Sequence, residues 1–83
     1  MTPLQSLKEI LQEHLEVCQE RSDKSDDYKE ALHDCIYSCA LSETALEQHM
    51  KRWLNGPYNY EYCLGIKFVN DQWNIIKEKQ DVK

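Results

Sequence analysis

Leu4, Leu7, Leu11, Leu15 and Cys18 recur at steps of three and four. Tyr28, Leu32, Cys35, Cys39, Ser42, Leu46, His49 and Trp53 do the same, without a slip. Such spacing follows the helical repeat of about 3.6 residues and puts each series on one face. Two amphipathic helices are therefore the first constraint on the fold. Thr2-Pro3-Leu4-Gln5 reads as a capping box that opens helix one. The polar run Ser22–Asp27 separates the series, with Ser25 the expected N-cap and Asp26 and Asp27 at the positive end of the next helix dipole. Helix two is expected to run over residues 26–54, with a kink near Leu41–Thr44 because Ser42 and Thr44 both prefer caps. Lys51 and Arg52 close it, and Asn55-Gly56-Pro57 predicts a left-handed cap and a stop.

The segment from Gly56 to Glu78 reads with two periods. As a helix, Tyr62, Ile66, Val69, Trp73 and Ile76 form one stripe, but Tyr60, Leu64, Phe68 and Ile75 form a second on the opposite side. A helix apolar on both sides needs burial all round, and Gly65 costs it roughly 1 kcal/mol relative to Ala. As a strand, Tyr58, Tyr60, Tyr62, Leu64, Ile66 and Phe68 all face one way. Asn70-Asp71 then makes a turn that pairs Phe68 with Trp73 and Ile66 with Ile75. The expected fold is α+β and mainly helical: an antiparallel helical hairpin over about 3–21 and 26–54, plus a β-hairpin over about 58–77. The alternative is all-α, with a third helix at 58–78. Helix two should overhang helix one by about 15 Å, leaving Leu46, Met50, Trp53 and Leu54 for the β-hairpin to cover.

Eighty-three residues make one domain with a thin core. No apolar run is long enough for a membrane span. Charges among the first twenty residues argue against a leader, so a cytoplasmic protein is expected. Net charge is −5, and residues 1–31 hold eight acids against four bases. That balance disfavours general nucleic-acid affinity and anionic membranes.

The cysteines are Cys18, Cys35, Cys39 and Cys63. In a hairpin folded about residues 23–24, Cys18 and Cys35 lie about 9 Å apart along the axis, too far to bridge. Reduced, core-facing thiols are expected. His14-x3-Cys18 and Cys35-x3-Cys39 place soft ligands on helix faces, a pattern suited to zinc or Cu(I). It resembles the paired-ligand helices of copper-binding bundles. It also resembles the twin Cys-x3-Cys hairpins of mitochondrial intermembrane-space proteins, although His14 stands where those need a cysteine. Because cysteine commonly packs as a small hydrophobe, no cofactor is assigned, and a helical metal-binding protein stays as an alternative.

Residues 40–56 resemble a helix-turn-helix, with Lys51 and Arg52 late in the second helix. A DNA-binding regulator is the other alternative. No motif surrounds any cysteine or histidine, and two glycines make no phosphate loop, so no enzyme is expected. The most regular polar feature is Glu9, Glu13, Glu16 and Glu20, spaced 4, 3, 4 on the outer face of helix one. The sequence therefore suggests a small acidic protein-binding module, an adaptor or inhibitor of the sort phages and plasmids encode. Its partner would be a basic protein surface, with a homodimer also expected from the aromatic content. Candidate contact residues are Glu9, Glu13, Glu16, Glu20, Trp53, Tyr58, Tyr60 and Trp73.

Overall fold

Thr2 starts the first helix as the sequence predicts. Its hydroxyl accepts the Gln5 backbone N–H at 3.2 Å, and the Gln5 side chain accepts the Thr2 N–H at 3.3 Å. The computed structural model describes residues 2–56 and 59–81. Those residues form four helices: α1 (Pro3–Arg21), α2 (Asp26–Leu41), α3 (Glu43–Leu54) and α4 (Tyr60–Asp81). α1 ends at Ser22, held at φ 55° while its N–H bonds the Cys18 carbonyl at 3.0 Å. Left-handed backbone of this kind strains any residue with a Cβ. Ser25 caps α2 by accepting the Tyr28 N–H at 3.2 Å.

The expected single helix over 26–54 is two helices. Ser42 is the joint. Its N–H bonds the Ser38 carbonyl at 3.1 Å, ending α2, and its hydroxyl accepts the Ala45 N–H at 3.0 Å, starting α3. The apolar period survives the break, which is why periodicity alone runs straight through it. The cap preference of Ser42 located the break correctly but was read as a kink. α3 ends on Asn55 at φ −98°, and no described glycine has positive φ, so the expected left-handed cap is not formed.

No strand occurs among the described residues, and the expected β-hairpin over 58–77 is replaced by α4. The all-α alternative is the one that fits, with α4 its last helix. Asn59 opens α4: its side-chain oxygen accepts the Glu61 and Tyr62 N–H groups at 2.9 and 3.2 Å. Tyr62, Ile66, Val69 and Trp73 are buried in one stripe. The second stripe did not need full burial. Leu64 and Phe68 pack at the core's edge, while Tyr60 and Ile75 face solvent, as single apolar residues commonly do. The proposed pairs Phe68–Trp73 and Ile66–Ile75 therefore do not exist. Nor is there an overhang to cover: α3 folds back at Ser42, and α4 packs on α1, α2 and α3 together. Leu46 and Met50 are buried, Trp53 is half-buried, and Leu54 stays exposed.

Gly65 explains how α4 seats on α2. A Cβ there would lie 2.7 Å from the Ala31 Cβ and 2.9 Å from the Tyr28 carbonyl oxygen. The helix-propensity cost of Gly is thus offset by close approach of the two backbones. Gly65→Ala should destabilise the protein by about 1–2 kcal/mol, because overpacking costs more than the added propensity returns. Ala31→Gly in the same chain should recover only part, since the carbonyl contact remains. Urea unfolding of the single and double variants checks this; a Gly65→Ala protein more stable than the parent would refute the close-approach account.

Candidate functional site

The outer face of α1 carries Glu9, Glu13, Glu16 and Glu20, all exposed. Among the described residues none of the four makes a side-chain hydrogen bond or ion pair. Glu9–Glu13 and Glu16–Glu20 are like-charge pairs one turn apart, each costing a few tenths of a kcal/mol. Among the described residues no ion pair offsets that repulsion.

The aromatic candidates divide. Tyr60 is 71% exposed at the start of α4. Trp53 is half-buried and stacks on Tyr62, with ring centroids 3.9 Å apart. Trp73 is 2% exposed and its indole N–H donates to Glu47 at 3.2 Å. It is a core residue, which removes it from the contact surface. The strand reading had set it on the face covering α3; as a helix residue it lies on the buried stripe. Tyr58 lies outside the described residues.

The thiols are free, with Cys18, Cys35 and Cys39 buried and Cys63 half-buried. His14 approaches Cys18 at 3.7 Å, but the same ring nitrogen lies 3.0 Å from the Tyr28 hydroxyl, and the ring stacks on Phe68. Cys35 and Cys39 line the buried face of α2. Burial pushes both thiols up, Cys39 to about 11. Among the described residues no group of three or more metal-ligating side chains converges. Residues 40–56 place Lys51 and Arg52 exposed on the last turn of α3. One residue, Ser42, separates α2 from α3 where a helix-turn-helix has three or four.

A polar cluster that the sequence reading did not single out joins three helices. The Tyr62 hydroxyl donates to Asp34 at 2.5 Å and lies 2.9 Å from His49 Nε2. Tyr62 comes from α4, Asp34 from α2 and His49 from α3. Burial and the Asp34 carboxylate push the Tyr62 phenol far up, so it keeps its proton. That single proton goes to Asp34, so His49 must be the donor in its contact with Tyr62. The sequence signal was present: His49 falls on the apolar series of α3, between Leu46 and Trp53. Its partners come from distant elements, so no spacing rule finds them.

No protein-family model, curated protein or solved structure matches this chain.

Burial holds both His49 and His14 below their ordinary pKa. Arg52 adds to the depression at His49 and Lys24 at His14, while Asp34 and Asp23 oppose it. The unfolded chain therefore binds protons first as pH falls. The stability gained from neutral histidines is complete above about pH 6.5 and is lost as pH drops through that value towards the folded-state pKa values. Glu47 acts lower on the scale. The Trp73 and Lys77 bonds hold its carboxyl below the usual range, so its contribution is lost only as the unfolded glutamate protonates. Urea midpoints should fall between about pH 7.5 and pH 5 in the parent and stay flat in a His14→Gln/His49→Gln variant. An unchanged slope in the double variant would mean that other groups carry the linkage.

Proposed function

We propose that this chain is a small acidic interaction module, an adaptor or inhibitor with no chemistry of its own. It docks on a basic protein surface through Glu9, Glu13, Glu16 and Glu20, with Tyr60 and the exposed edge of Trp53 as aromatic contacts. The observation that carries this reading is the exposed, unpaired state of all four carboxylates on one helix face. A basic partner would supply the charge that the fold itself withholds. The spacing from Glu9 to Glu20 spans about 16 Å along α1, enough for several Lys or Arg contacts. Free thiols accord with a reducing compartment, so the proposed location is the cytoplasm. No described helix is long and apolar enough to cross a membrane. A second copy of the chain is a further proposed partner, supported by the exposed Tyr37 and Leu41 one turn apart on α2.

Capture from the native host, comparing the parent with a Glu9→Gln/Glu13→Gln/Glu16→Gln/Glu20→Gln variant, tests the docking face. The variant should fold normally and bind the captured partner more weakly by over about 1 kcal/mol if the charges meet desolvated basic groups. Association should slow as salt rises, because steering charges act mainly on the on-rate. Equal binding by the variant would leave the stripe as a solvated face. No duplex binding is expected at about 0.15 M salt. A sequence-specific shift abolished by Lys51→Ala and Arg52→Ala would instead favour a DNA-binding regulator.

A further inference from the structure

Away from the acidic face, a niche of about 230 Å³ lies between α2 and α3, lined by Ser38, Ala45, Gln48, His49 and Arg52. No carboxylate lines it, although the chain carries a net charge of −5. Arg52 is exposed and, among the described residues, has no hydrogen bond or ion pair of its own. Its forked donors suit an oxyanion. Gln48, also exposed, adds an amide donor. The Ser38 hydroxyl is committed, because it donates to the Asp34 carbonyl at 3.0 Å.

His49 is the informative member. Its Nε2–H is fixed on Tyr62, whose own proton is fixed on Asp34. Nδ1 is the ring atom left for a ligand. In the neutral ring it is an acceptor and repels an anion; with a second proton, taken from solvent, it becomes a donor. The groups acting on this proton are Asp34 on α2, which favours it, Arg52 on α3, which opposes it, and the neutral Tyr62 on α4. An anion seated against Arg52 cancels the opposing charge. Anion and proton should therefore bind together, each strengthening the other. Gln48, His49 and Arg52 together offer the niche more than two donors, which suits a group with three or more oxygens rather than a carboxylate with two.

We propose that this niche is a binding site for a tetrahedral oxyanion of the phosphoryl or sulfate type, held by Arg52 and by His49 in its doubly protonated form. The test is titration of the full chain with sulfate, whose charge is constant over the pH range, while the His49 ring resonances are followed by NMR. A saturable shift is expected, with affinity several-fold tighter near pH 5.5 than near pH 7.5, approaching the roughly tenfold limit that a rise of about one unit in the His49 pKa on binding allows. Arg52→Gln should weaken binding at least tenfold, whereas Lys51→Gln, the adjacent exposed cation, should change it by less than about twofold. His49→Gln should remove the pH dependence while the circular dichroism stays helical. A non-saturating shift, pH-independent affinity, or equal losses in the Arg52 and Lys51 variants would overturn the proposal. Parallel titrations with inorganic phosphate and a phosphoserine peptide distinguish the source. Tighter binding of the peptide points to a phosphorylated protein and tighter binding of phosphate to a free anion; binding of neither overturns the site.

Discussion

The fold depends on how closely α2 and α4 approach where Gly65 lies over Ala31. Two small residues let the backbones meet there, and everything else hangs from that contact. It sets α4 deep enough for Ile66, Val69 and Trp73 to reach the core. It brings Tyr62 over α2, where its hydroxyl meets Asp34. Near the same crossing, Ser25 donates to Glu61 and Asn59 to Asp27, tying the starts of α2 and α4 together. With the α2–α4 pair fixed, α1 and α3 pack on it from their own positions. So small a chain has little apolar area to spare, and depth of approach decides how much of it leaves water.

Much of this arrangement was legible. The bounds of α1, the caps Thr2 and Ser25, and the core faces of α1, α2 and α3 follow from period and capping chemistry that are local to the chain. The C-terminal segment was not legible, and the reason is specific. Gly65 carries a local cost in a helix and a tertiary gain, and only the local half is written in its neighbours. Tyr60 and Ile75 made a false second stripe because their exposure cannot be read from residue type. Asn59 was the signal that could have corrected the reading, since an Asn followed by Tyr, Glu and Tyr is an acceptable helix start.

The candidate surfaces divide along the same line. The glutamate face is a property of one helix, so its spacing shows in the sequence and its exposure follows from the core face opposite. The Asp34–Tyr62–His49 cluster draws one residue from each of three helices and shows no pattern in any of them. Trp73 illustrates the difference within a single residue type: an indole read as a contact anchor from composition is a core residue once its helix is placed.

The two indoles sit in different surroundings, and the protein thereby contains its own optical reporter. Trp73 is sealed in the core, with its N–H on Glu47 and the Lys77 ammonium 5.8 Å from its ring centroid. Trp53 is half-buried against Tyr62, the residue that bridges Asp34 and His49. Emission from Trp73 therefore follows the docking of α3 on α4, while emission from Trp53 follows the polar cluster beside it. Replacing either indole by phenylalanine leaves one colour signal for each joint, so that loosening of the cluster can be told from melting of the bundle without an added label.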